Sequence, residues 1–141
     1  MLAVTVTHHI VADLGLGGNG IEIRALAGQS FNLFGRDGFA DIQTAWVYRS
    51  HNAPDTLKTD ATIGLGIHEN RQILAQVFYS QTGGQIIEND RILPNRYVKL
   101  QGSMVLKRSR KTSVQFGVFQ TVAGRNIVQE KGVFAAVWRR Y

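Results

Sequence analysis

Thr56-Leu57-Lys58-Thr59-Asp60-Ala61-Thr62-Ile63-Gly64-Leu65-Gly66-Ile67-His68 is the stretch that decides the fold class. Leu57, Thr59, Ala61, Ile63, Leu65 and Ile67 alternate with Lys58, Asp60, Thr62, Gly64, Gly66 and His68. A strand turns successive side chains to opposite faces, so a period of two sets an apolar face against a polar one. The run is longer than the ~5–6 residues of a common soluble strand and matches the ~9–11 that a tilted strand needs to cross a bilayer.

The same alternation extends outward in both directions. Upstream, in Phe39–Ser50, Ala40, Ile42, Thr44, Trp46 and Tyr48 oppose Asp41, Gln43, Ala45, Val47 and Arg49. In Gly20–Phe34, Ile21, Ile23, Ala25 and Ala27 oppose Glu22, Arg24, Leu26 and Gly28, with a β-bulge expected near Gly28-Gln29-Ser30. Ala3–Ala12 is the first candidate. Downstream lie Arg71–Gln81, Arg96–Arg108, Thr112–Thr121 and the terminal Gly132–Tyr141, which ends on an aromatic. No segment has the 3.6-residue period of an amphipathic helix. The expectation is an all-β, antiparallel up-and-down β-barrel of about eight strands, formed by residues 1–141 as one domain.

Connection lengths sharpen this. Gly35–Gly38, Glu69-Asn70 and Ser109–Lys111 are short; Asp13–Asn19, His51–Asp55, Thr82–Asn95 and Val122–Lys131 are longer. Short and long connections alternate along the chain, as in outer-membrane barrels with short periplasmic turns and longer outer loops. Tyr141 then falls on the periplasmic side.

Composition allows this reading and excludes others. The chain of 141 residues has no cysteine, so disulfides, thiolate metal sites and cysteine nucleophiles are excluded. No run approaches the ~20 apolar residues of a spanning helix. The formal charge is +6, which suits acidic lipid headgroups, lipopolysaccharide or a plain solvated surface. A leader sequence is not visible after Met1, although export to an outer membrane requires one.

In a membrane barrel the apolar face meets lipid and the polar face lines the lumen. The expected lumen network is Glu22, Arg24, Asp41, Arg49, Lys58, Asp60 and Lys99; both signs are present, so pairing is expected. Trp46, Tyr48 and Tyr79, near long-loop ends, and Trp138 and Tyr141 in the last strand are the expected interfacial aromatics.

Catalytic and ligand motifs are weak. His8 and His9 are adjacent in a strand and point apart, while His51 and His68 fall at opposite ends, so no metal constellation is expected. In Ser50-His51 adjacency turns the two side chains to opposite sides, so a hydrolytic triad is unsupported, although Asp55 nearby keeps it from outright exclusion. The glycine-rich Gly15–Gly20 precedes a strand, whereas a phosphate loop must open a helix. Lys107, Arg108, Arg110 and Lys111 form the densest basic cluster. It lacks the interleaved aromatics of a nucleic-acid site and fits acidic headgroups or a solvated turn.

From Arg96 to Tyr141 the chain resembles the C-terminal part of uncharacterised proteobacterial outer-membrane β-barrel proteins. The segments that carry the resemblance are Tyr97–Gln101, Val114–Phe119, Thr121–Asn126 with its Ala-Gly-Arg-Asn loop, and Gly132–Tyr141; Phe39–Ile67 fits more loosely. The resemblance implies an outer-membrane location in a Gram-negative bacterium, with lipid, lipopolysaccharide and the barrel assembly machinery as partners. It implies no reaction and no cofactor. Arg139 stands where an aromatic is commoner, and family members are longer, so the eight strands are either a whole barrel or the last part of a larger one. The expected role is structural or transport-related and non-enzymatic. The alternatives are a soluble ligand-binding β-barrel and an envelope lipid-modifying enzyme.

Overall fold

Alternating runs joined by few residues pair as hairpins, because a short connection leaves the second run no other partner within reach. A computed structural model describes residues 2–7, 20–49, 54–87 and 90–139, with the side chains of 21–49, 54–84 and 93–139. The strands are β1 (Leu2–Thr7), β2 (Gly20–Leu33), β3 (Arg36–Arg49), β4 (Thr56–His68), β5 (Arg71–Thr82), β6 (Gln85–Ile87), β7 (Asp90–Ile92), β8 (Asn95–Lys107), β9 (Thr112–Arg125) and β10 (Lys131–Arg139). All but β6 and β7 form one eight-stranded sheet in the order β1-β2-β3-β4-β5-β8-β9-β10, every pair antiparallel. The up-and-down order is the expected one. Within the described residues the pairing stops at β1 on one side and at β10 on the other, so the sheet is not closed.

Several boundaries differ from expectation, each for a local reason. The β2–β3 turn is two residues, Phe34 and Gly35, both at positive φ (52° and 76°), and Leu33 pairs with Arg36. Two left-handed residues make the tight turn whose twist matches that of the strands, so β3 begins three residues before the expected Phe39. No bulge occurs at Gly28–Ser30; Gly28, Gln29 and Ser30 pair in unbroken register with Asp41, Ala40 and Phe39. Register shifts fall instead between Gly66 and His68, beside a turn, and between Val98 and Lys99 in the β8–β9 pair.

The expected loop Thr82–Asn95 contains the small hairpin β6–β7, in which Gln85 pairs with Ile92. β9 runs on to Arg125, so Ala123, Gly124 and Arg125 of the expected Ala-Gly-Arg-Asn loop are strand residues paired with Val98, Tyr97 and Arg96. Asn126 makes the turn at φ 55° and donates from Nδ2 to the Pro94 carbonyl at 2.7 Å. Residues 8–12 of the first expected strand, His8, His9, His51, Ser50, Tyr141 and the Gly15–Asn19 stretch lie outside the described residues.

Candidate functional site

The two faces of the sheet are packed very differently. On the apolar face Ile23, Ile42, Ile63, Val118, Val133 and Val137 are all exposed, Val133 to 81%. On the polar face Ala45, Val47, Ser80, Gln115 and Thr121 are buried, Ala45 to 3%. No second layer covers the sheet among the described residues. A face of a lone sheet is buried only when its own side chains close over one another, so the sheet curls toward its polar side.

Glycine–aromatic pairs make this closure possible. Phe39 faces Gly64, Phe119 faces Gly132 and Phe134 faces Gly117 directly across neighbouring strands. A Cβ at Gly64 would overlap the Phe39 ring, and one at Gly132 would come within 2.8 Å of the Phe119 ring. The outer atoms of these rings therefore occupy the space that a side chain at each glycine would fill. On the apolar face Gly102 has no atom within 4 Å of its Cβ position, while Gly38, beside the β2–β3 turn, is covered by the Phe31 ring.

The charged residues gather on the polar face near the long-loop end. Arg24 donates from Nε (2.9 Å) and Nη2 (2.6 Å) to Glu22 Oε1, and from Nη1 to Gln43 Oε1 at 2.6 Å. Glu22 and Arg24 lie two apart on one strand, hence on one face; Gln43 is brought alongside by the β2–β3 register. The Glu22 side chain is only 13% exposed. Asp60 pairs in register with Gln43, and Lys58 with Ala45, so both border this cluster. Arg24 and Lys58 are the cations, and Glu22 and Asp41 the anions, whose charges act on Asp60. Arg49 donates to Thr56 Oγ1 at 3.3 Å and its backbone N–H to Asp55 Oδ1 at 3.3 Å, which ties β3 to the start of β4.

Lys99 is drawn away from the other expected members. It pairs with Glu130 Oε2 at 3.1 Å and stands 5.0 Å from the Phe119 ring centre and 5.8 Å from that of Tyr97. Glu130 lies in the connection between β9 and β10, where the Glu130 carbonyl accepts from Thr121 N at 2.7 Å. No pattern in the sequence points to Glu130, because its partner is distant in the chain and the loop conformation alone sets the contact.

Uncharged groups fill the rest of the face. Gln101 Nε2 donates to Gln76 Oε1 at 2.8 Å, and Gln76 Nε2 to Thr62 Oγ1 at 3.4 Å. Gln115 Nε2 donates to Ser103 Oγ at 2.9 Å and its Oε1 accepts from Trp138 Nε1 at 3.0 Å. Trp138 thus stands on the polar face, apart from Trp46 and Tyr48, which are exposed on the apolar face. Tyr79 shares their face and donates from its hydroxyl to Gln81 Oε1. The cross-strand row Asp41, Thr62, Gln76, Gln101, Phe119, Gly132, with flanking residues that include Ile63, Val77 and Val118, borders a cavity of about 910 Å³.

Across the polar face these side chains hold one another with neutral amide and hydroxyl bonds and with the Glu22–Arg24 and Lys99–Glu130 ion pairs. No nucleophile–base pair occurs among these contacts. No protein family, curated protein or solved structure matches this chain.

Proposed function

We propose that this chain is a β-barrel protein of a Gram-negative outer membrane, with a structural or transport-related role and no catalytic activity. The observation that carries the reading is the inverted packing: exposed Ile23, Ile42, Ile63, Val118 and Val133 on one face, and buried Gln115, Thr121 and Ser80 on the other. Water disfavours such a surface at roughly 25 cal/mol per Å² of apolar area, and hydrocarbon removes that cost. A membrane strand satisfies its backbone only in a closed ladder, so the edges of β1 and β10 are joined in this reading, to each other or to further strands. Eight strands alone enclose a lumen that side chains fill; more strands leave room for a solute path past Glu22, Arg24, Asp41 and Asp60. Its partners are outer-membrane lipid, lipopolysaccharide and the barrel assembly machinery.

The test is fractionation of the native full-length product with a heat-modifiability gel. Recovery with the outer membrane, and a mobility shift on heating, is the expected result. A second reading rests on the cavity of about 910 Å³ bordered by the polar-face row Asp41, Thr62, Gln76, Gln101 and Phe119: a soluble barrel that holds a small ligand. Recovery in the soluble fraction with no mobility shift replaces the first reading with the second.

A further inference from the structure

The charge of the chain is concentrated at one end of the sheet. The short-turn end holds Arg36, Arg71, Lys107, Arg108, Arg110, Lys111 and Arg139, against Asp37 and Glu69. Among the described residues, seven cations less two carboxylates leave a surplus of five there, against a formal +6 for the whole chain. These cations differ from those of the polar face. Arg24 and Lys99 are neutralised by Glu22 and Glu130. Among the described residues no ion pair reaches Arg71, Lys107, Arg108, Arg110, Lys111 or Arg139.

Their placement is ordered. Arg36, Arg71 and Arg139 follow the strand period of the apolar face: Arg71 precedes Ile73 by two residues and Arg139 follows Val137 by two. The exposed aliphatic face therefore ends in arginines on three strands. The 108–112 turn is held by Arg108 N and Ser109 N donating to the Thr112 carbonyl, and by Ser109 Oγ accepting from Lys111 N and Thr112 N. Between the turns a cleft of about 370 Å³ is lined by Arg36, Asp37, His68, Glu69, Arg71 and Lys107. Next to it Phe34 is 93% exposed in the left-handed region, a position that aromatic residues rarely occupy.

We propose that the short-turn end binds the anionic headgroups of a phospholipid membrane. The inference rests on the membrane-spanning reading and adds which lipid chemistry this end selects. Where an aliphatic face stops, hydrocarbon gives way to phosphate. Arg71 and Arg139, free of ion pairs among the described residues at that border, donate to phosphate oxygens in pairs, Arg36 adds charge while its Nη1 donates to the Ile67 carbonyl, and lysines supply point charge. Phe34 enters the interfacial zone beside them. A collar of like charges is self-repelling in water, and an anionic surface relieves that repulsion.

The experiment refolds the full chain from urea into vesicles of phosphatidylcholine alone or with added phosphatidylglycerol. The heat-shift gel reads insertion, and the lipid concentration for half-insertion is compared. Phosphatidylglycerol is expected to lower that concentration by about tenfold, and added salt to erase the difference. The Arg71→Gln, Arg108→Gln, Lys111→Gln, Arg139→Gln variant inserts into phosphatidylcholine as before and loses the preference. The single Lys111→Glu change, on an exposed turn, lowers it in part and covers the case in which the fourfold variant does not fold. Equal half-insertion in both vesicles, or a preference retained in the variants, overturns the proposal and leaves the membrane reading standing. Loss of the preference on adding inorganic phosphate at matched ionic strength assigns the cleft to a free anion and overturns it too. Failure to insert into either vesicle sinks the membrane reading itself, and this proposal with it.

Discussion

Replacing Ile63 by arginine separates a lipid-facing surface from a water-facing one. Ile63 is 51% exposed, and its register partners Ala40 and Ala75 are small, so an arginine fits there without steric conflict. The cost is therefore set by the medium alone. β4 has 13 residues. At about 3.4 Å per residue and a tilt near 40° it rises roughly 34 Å along the bilayer normal, which exceeds an apolar band of ~25 Å. Ile63 lies near the middle of β4, so in the membrane-spanning reading its side chain meets the bilayer centre. Arginine at that depth costs about 2–4 kcal/mol, whereas a substitution on a water-exposed surface changes stability by less than ~0.5 kcal/mol. With a urea slope of ~1–3 kcal/mol per M, a loss of about 3 kcal/mol moves the unfolding midpoint by about 1–3 M. The assay is urea unfolding of protein refolded in phosphatidylcholine vesicles, followed by tryptophan fluorescence, with Ile63→Val as the apolar control at under ~1.5 kcal/mol. If Ile63→Arg unfolds within ~0.5 kcal/mol of the native chain, the apolar face does not lie in lipid and the packing argument is wrong.

Further expectations concern the polar face. Arg24→Met removes three hydrogen bonds and leaves Glu22 largely buried without its cation; a loss of about 2–3 kcal/mol in the same urea assay is expected, mostly recovered by adding Glu22→Gln. Gly64→Ala is expected to cost about 1–3 kcal/mol by displacing the Phe39 ring. Gly102→Ala, with open space around its Cβ, holds or raises stability by up to ~1 kcal/mol, and equal effects at the two glycines would contradict the curl toward the polar side. Gln115→Leu breaks the bonds to Ser103 and Trp138, with a loss of about 1–2 kcal/mol and a change in tryptophan emission; an emission spectrum identical to that of the native chain would place Trp138 elsewhere.

Strand existence was readable because period two is a local property. β4 matches its expected span of Thr56–His68 residue for residue, and β5 and β8 end within a residue or so of theirs. The early start of β3 was less visible, since a Phe-Gly turn requires a left-handed phenylalanine that local preference disfavours. The β6–β7 hairpin was missed because three-residue strands carry no usable period. The Glu22–Arg24 pair was legible from spacing alone, while Lys99–Glu130 and Trp138–Gln115 join residues 31 and 23 apart, and only register and loop path bring those together.

By itself, then, the sequence determined the eight strands of the main sheet, their antiparallel order and which side chains share a face, since each follows from alternation and short connections. Which face is covered was decided by the tertiary structure. Alternation defines two faces but is symmetric between them. The curl toward the polar side is set by Phe39, Phe119 and Phe134 lying over Gly64, Gly132 and Gly117, and by amide bonds across strands, all of which depend on register. That curl leaves Ile63 outside, and the membrane reading rests on it.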